Sequence, residues 1–228
     1  MEKKIHKTQR TAMILAAGFG KRLLPLTNEI PKVLLKVQGE PLIVHQINRL
    51  VQASMGPIVI NLGHLGNQIK QYLGNGKAFN TDILYSHEEI PLETAGGIIK
   101  ALPLLGKDPF VVVSGDIYTD YPYECLPLKP QSLAHLVLVD NPSWHAQGDF
   151  GLIEKNIVCD TTDIKYTFAN IGVYSPAFFY GLPQSILPLG PLLREAIKNN
   201  KITGEHYQGL WYNVGTLTEL TSLNALSC

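Results

Sequence analysis

A run of six residues near the middle of the chain, PFVVVS at 109–114, narrows the folds open to it. A strand with no polar face must be covered on both sides, the situation of a strand in a parallel sheet flanked by helices. The residues before it keep a matching rhythm. Residues 11–17 read as a strand, and 41–53 as a helix with Leu42, Val44, His45, Ile47, Leu50 and Val51 on or near one face. A strand at 58–62, a helix at 65–73 ending on Gly74 and a strand at 83–85 follow. Residues 94–105 read as a helix, with Thr94 as N-cap and Gly106 as C-terminal stop. This βαβα order predicts an α/β, three-layer αβα domain of Rossmann-like type, with a mixed, mostly parallel central sheet.

After Asp116 the rhythm changes. Strands are expected at 133–140, 150–154 and 165–174, separated by turns such as Asn141-Pro142 and Gln147-Gly148. A helix at 189–199, a last strand at 210–214 and a helix from Thr216 complete the pattern. Residues 1–10 read as a solvated leader, and 11–228 as a single domain. Its two halves, about 11–116 and about 117–228 with the C-terminal helix, read as lobes of that one domain.

Nineteen basic residues balance nineteen acidic ones, so the broad positive field of a nucleic-acid binder is absent and small anionic ligands remain open. No run approaches the ~20 apolar residues of a membrane span. The basic start followed by TAMILAAG superficially resembles a secretory signal. That apolar run is short, however, and meets the basic pair Lys21-Arg22 where a cleavage site belongs. Three cysteines, Cys125, Cys159 and Cys228, show neither paired nor CxxC spacing, which fits a reducing, cytoplasmic setting.

The loop after the first strand carries the first chemical signal, GFGKR at 18–22. Glycines bring backbone amides close to an anion, Lys adds charge, and Arg grips phosphate oxygens with a fork of donors. It is neither of two familiar loops. The dinucleotide pattern GxGxxG would need a small residue at Leu23, and GxxxxGK[ST] would need glycine at Leu15 and Ser or Thr at Arg22. On its own the loop reads equally well as a tight turn with solvated basic residues.

The longer string LAAGFGKRLLPLTNEIPK, residues 15–32, resembles the signature of the sugar-1-phosphate nucleotidyltransferases. Further matching blocks follow in the family's order: PLETAGG (91–97), SGDIYTD (114–120), AHLVLVDNP (134–142), GDFG (148–151) and GEHYQGLWYNVGT (204–216). Several look most like the N-acetylmuramate-1-phosphate uridylyltransferases of peptidoglycan recycling. The resemblance implies that a sugar 1-phosphate attacks the α-phosphorus of a nucleoside triphosphate, UTP by this likeness, and expels pyrophosphate. A mannose- or glucose-1-phosphate nucleotidyltransferase using GTP or dTTP is the other reading within the class. The attacking phosphate oxygen is already deprotonated near pH 7, so no general base is needed. Glycine amides, Arg, Lys and Mg²⁺ are the parts such a reaction calls for.

By this resemblance Arg22, Lys32 and Asp116 are the catalytic residues. The nucleotide would lie against Leu15, Ala16, Ala17, Gly18, Gly20, Lys21, Arg22, Lys32, Glu88, Gly96 and Ser114, with Glu88 near the base edge. Ser114, Asp140, Gly151, Glu154 and Asn170 would line the acceptor-sugar site. Asp116, with Asn213, would hold Mg²⁺. Bland readings stand beside these: Lys32 as a solvated surface lysine, Asp116 as the cap of a following helix, Asp140 as a turn residue, and His206 and Trp211 as packing residues. The paired glycines Gly96 and Gly97 in a first helical turn are read as making room for a ligand.

Two positions depart from the family pattern. Asn213 stands where relatives commonly carry a second metal-binding aspartate, and Ser114 where close relatives often have asparagine. An amide oxygen coordinates Mg²⁺ without adding charge, so a weakened nucleotide or nucleotide-sugar binder is a second class of reading. The expected partners are small molecules, with no nucleic acid and no membrane. Only twelve residues follow the matched region, which predicts a single activity in a monomer or weak homodimer.

Overall fold

The computed structural model describes residues 10–127, 129 and 131–225, so the expected leader lies, Arg10 excepted, outside the described residues. The first half runs β1 (Ala12–Leu15), a short hairpin of β2 (Lys36–Val37) and β3 (Glu40–Pro41), α1 (Leu42–Gln52), β4 (Ile58–Leu62), α2 (Gly66–Leu73), β5 (Ile83–His87), α3 (Glu93–Leu105) and β6 (Phe110–Ser114). The second half runs β7 (Ile117–Thr119), β8 (Ala134–Val139), β9 (Gly151–Ile153), β10 (Ile157–Cys159), β11 (Thr167–Tyr174), α4 (Leu189–Lys198), β12 (Ile202–Tyr207), β13 (Trp211–Asn213) and α5 (Leu217–Ala225).

Nine strands join one sheet in the order β5-β4-β1-β6-β11-β8-β12-β10-β9. β1 pairs in parallel with β4 and β6, β4 with β5, and β12 with β8; only β11 and β10 run the other way. The sheet is therefore mixed and mostly parallel. Side chains alternate across it and feed two cores. Ala12, Ile14, Ile58, Ile60, Val111 and Val113 pack with Ile47 and Leu50 of α1 and Ile69 of α2. Met13, Val59, Phe110 and Val112 face the other way, against Ile98 and Leu105 of α3 and Leu193 and Ile197 of α4. Both faces of 110–113 are thus covered, as the unbroken apolar run demands. Among the described residues no helix is long and apolar enough to cross a membrane.

Three expectations need correction, and the last strand takes a place that the sequence left open. Thr94 does not cap α3: the helix begins at Glu93, and the cap position, Leu92, has no side-chain hydrogen bond. Asp116 is followed by strand β7, so it caps no helix. The last strand, β13, is outside the main sheet and pairs only with β7, antiparallel. Strands β10 and β12 form where none was expected, and β12 lies inside the sheet beside β8. The helix expected from Thr216 starts with a capping box: Glu219 N–H donates to Thr216 Oγ1 (3.2 Å), and Thr216 N–H donates to Glu219 Oε2 (2.8 Å).

Candidate active site

The chain order creates the cleft. From β1 the chain moves outward to β4 and β5, with α1 and α2 on one face, and then returns by α3 on the other face to place β6 on β1's far side. The loops leaving the C-terminal ends of β1 and β6 therefore diverge and leave a crevice, which is where open α/β sheets bind ligands. A cavity of about 510 Å³ lies there. Its lining includes Leu15, Ala16, Ala17, Gly18, Gly20, Lys21, Lys32, Glu88, Ser114, Asp116, Asn170 and Asn213. Twelve side chains or backbone segments singled out from the sequence are thus brought together from six separate stretches of chain.

The loop after β1 is held from outside. Asn61, 4% exposed at the end of β4, accepts the Ala16 N–H on Oδ1 at 2.7 Å. Its Nδ2 donates to Glu88 Oε1 at 2.7 Å, and Glu88 Oε2 accepts the Leu92 N–H at 3.1 Å. One asparagine therefore ties the loop, β5 and the start of α3 into a single wall, and both Glu88 oxygens have protein partners. Gly20 has φ +62, and a Cβ there would stand 2.9 Å from Thr27 Cγ2, so only glycine fits. Gly18 is different: a Cβ there would meet no atom within 4 Å, leaving open space beside its backbone. Phe19 stacks on His64 with centroids 5.0 Å apart.

Across the crevice, Lys32 Nζ donates to Asp116 Oδ2, an ion pair 11% and 23% exposed on its two side chains. Ser114 Oγ donates to Asp116 Oδ1 at 2.5 Å. The β7–β13 ribbon then sets Asn213 beside this aspartate: Asn213 pairs with Ile117, and Val214 N–H donates to Asp116 O at 3.0 Å. Asn213 Oδ1 is buried and has no hydrogen-bond partner among the described residues. A buried acceptor of this kind carries a desolvation penalty unless something charged meets it. A carboxylate beside an unspent amide oxygen suits a hard divalent cation such as Mg²⁺, which takes few protein ligands and completes its shell with phosphate oxygens and water. No three His, Cys, Asp or Glu side chains gather into a metal cage among the described residues.

A second cavity, of about 400 Å³, adjoins the first; Glu93, Thr94, Asn170 and Asn213 line both. Asn170 sits at φ +56 where β11 shifts register against β8 between Phe168 and Gly172, a bulge that re-aims its side chain. Trp211 Nε1 fixes the bulge by donating to Ala169 O at 3.0 Å. The rest of the lining includes Trp144, His145, Asp149, Leu189 and Arg194.

Five residues expected at the site line neither cavity. Arg22 lies over Gly215, where a Cβ would stand 2.8 Å from its Nη2, and it makes no hydrogen bond or ion pair among the described residues. Gly96 corrects the reading of the paired glycines. A Cβ there would be 2.3 Å from Ser185 O, and one at Gly97 would be 2.6 Å from Glu88 Oε1. The space that these glycines leave is taken by other parts of the chain. Gly151 is likewise filled from within, 1.9 Å from Thr162 Oγ1 by the same measure. Asp140 is exposed and accepts from His206 at 2.8 Å, while Glu154 is exposed on a 3₁₀ turn. Asn61, Glu93, Trp144 and Arg194 also line the cavities, although no motif marks them as site residues. Only Asn61 left a signal, as a lone polar residue in the apolar run IVINL.

A model of the nucleotidyl transferase family matches residues 11–168. The chain is 44% identical over 225 residues to the N-acetylmuramate alpha-1-phosphate uridylyltransferase of Neisseria meningitidis serogroup B, covering 95% of this chain and 97% of that one. It is 30% identical over 222 residues to the enzyme of the same name from Caulobacter vibrioides, covering 90% and 92%. Among solved structures, HddC from Yersinia pseudotuberculosis complexed with GMP-PN shares the fold at a TM-score of 0.78, with 17% identity over 96% of this chain and 99% of that one.

Proposed function

The chain belongs to the nucleotidyl transferase family, and from that premise we propose that it transfers a uridylyl group from UTP to N-acetylmuramate 1-phosphate, releasing pyrophosphate and forming the UDP-sugar. The observation that carries this reading is a pair of ligand-sized cavities meeting at a shared wall, one floored by a glycine loop with two lysines and the other walled by aromatic rings. Two substrates that must react phosphate to phosphate need such an arrangement.

UTP occupies the first cavity, with its phosphates over Gly18 and Gly20. The open space beside Gly18 accepts them, and Lys21 adds positive charge. Lys32 stands at the rim of β6 and neutralises charge where the two polyanions approach. Arg22, the last residue of the loop and without a hydrogen bond or ion pair among the described residues, grips the leaving phosphates. Asp116 and Asn213 would hold Mg²⁺, and its charge would lower the repulsion between the two phosphate groups. The acceptor's phosphate oxygen needs no base, so these residues act by holding and aligning anions. Asn170, at the shared wall, contacts the sugar near its C1. Peptidoglycan recycling in the cytoplasm is the setting this activity implies.

The test is release of pyrophosphate from UTP, N-acetylmuramate 1-phosphate and Mg²⁺, with the UDP-sugar identified by mass. Lys32→Met is expected to lower kcat by at least about 100-fold, the scale seen when one transition-state donor is removed. Binding of UTP without turnover by any sugar 1-phosphate would sink the transferase reading and leave a nucleotide-binding protein.

A further inference from the structure

We propose that Arg194 selects the acceptor by its acid: it reads a carboxylate carried on the sugar's far side, away from the phosphate. This rests on the activity proposed above.

The two cavities impose an orientation on the acceptor. The acceptor's phosphate must reach the nucleotide, so its C1 end faces Asn170 and Asn213 on the shared wall. Whatever the sugar carries on the opposite side of its ring then points into the remainder of the second cavity. N-acetylmuramate differs from a neutral N-acetylhexosamine by a lactyl ether that ends in a carboxylate. A site that prefers it needs a cation there.

Two candidates line that part of the cavity, His145 and Arg194. His145 is already committed. Its Nε2 stands 3.1 Å from Asp149 Oδ1, its ring stacks on Trp144, and Asp149 is itself held by the Phe168 N–H at 2.8 Å. Arg194 is not. Its guanidinium lies over the Phe150 ring, 5.1 Å from the centroid, which fixes its position without using a donor. Its one ion-pair partner, Asp160, is 3.9 Å away, and none of its five N–H groups donates a hydrogen bond among the described residues. A planar fork of unspent donors, braced by an aromatic ring at a cavity wall, is matched to a carboxylate. α4 supplies the brace from below: Leu193 and Ile197, buried under the sheet, set the register that turns Arg194 toward the cavity.

The experiment compares wild type, Arg194→Gln and Arg194→Lys on two acceptors, N-acetylmuramate 1-phosphate and N-acetylglucosamine 1-phosphate, which lacks the lactyl acid. The readout is the ratio of kcat/KM for the two. Where the second acceptor is not turned over, the ratio of Kd values from calorimetry without UTP, so that neither acceptor reacts, replaces it. Arg194→Gln is expected to reduce the ratio roughly 10- to 100-fold, the range for one charge-assisted hydrogen-bonded pair, and Arg194→Lys to restore part of it. A loss shared equally by both acceptors, or an unchanged ratio, overturns the assignment. If wild type neither turns over nor binds N-acetylmuramate 1-phosphate, the proposed acceptor itself fails, which is a distinguishable result.

Discussion

Replacing Asn61 tests whether the wall of the nucleotide cavity is held as described. Asn61→Leu keeps the volume and removes both polar contacts. The Ala16 N–H, on a residue 5% exposed, is left in the interior without an acceptor, which costs about 1–3 kcal/mol. Glu88 Oε1 loses its donor, adding about 1 kcal/mol because that carboxylate is only partly buried. The sum, about 2–4 kcal/mol, corresponds to a fall in Tm of roughly 5–15 °C for a domain this size. Asn61→Asp is the more telling variant. It still accepts from Ala16 but sets a carboxylate against Glu88 at a spacing where an amide donated at 2.7 Å. In Asn61→Asp/Glu88→Gln the donor returns from the opposite side. Urea denaturation of wild type, Asn61→Asp, Glu88→Gln and the double variant gives the coupling energy, expected to favour the pair by more than about 1 kcal/mol. Leucine tolerated within about 0.5 kcal/mol, the range of ordinary surface substitutions, would refute the reasoning. So would additivity of the two changes in the double variant.

Two further outcomes follow from the same geometry. Asn213→Asp sets a second carboxylate beside Asp116. Binding of Mn²⁺ followed by electron paramagnetic resonance should tighten about tenfold or more, since a tenfold change needs only about 1.4 kcal/mol against a charge–charge attraction of several; unchanged or weaker affinity would count against the metal position. The carboxyl of Glu205 is held below its usual value, first by His135, whose Nε2 stands 3.7 Å from Oε2, and then by the Tyr121 hydroxyl. A carboxyl depressed in the fold contributes stability above its unfolded value and loses it as pH falls through the folded one. Stability should therefore decline on acidification from about pH 5 downward, and Glu205→Gln should flatten that part of the profile; an unchanged profile in the variant would exclude Glu205 as a source.

What was legible in the sequence was whatever depends on near neighbours. The run 109–114 has one apolar character throughout, and such a strand has few places to lie. The glycine loop, Lys32 and Asp116 were found because each keeps its own short motif, although 84 residues separate the last two. β12 was not legible, for a long-range reason. Its Glu205, His206 and Tyr207 look like surface residues, yet they are taken up by His135 and Tyr121, by Asp140, and by Asp120 respectively. None of those partners is within sixty residues. Gly96 misled for a similar reason, because the backbone that crowds it, at Ser185, arrives from almost ninety residues away. Arg194 carried no signal, since one position on an amphipathic helix says nothing about which cavity it borders.

The ribbon of β7 and β13 has a consequence in time as well as space. Asp116 gains its neighbour Asn213 only when the chain has been made to that point, close to a hundred residues later, which is about 5–20 s at usual rates of synthesis. The glycine loop, Lys32 and Asp116 emerge long before, together with the strands that hold them. A growing chain therefore has its phosphate loop early but neither the amide oxygen beside Asp116 nor the tryptophan that braces Asn170. If those two residues act as proposed, the chemistry on a growing chain begins only once β13, which carries both, is in place.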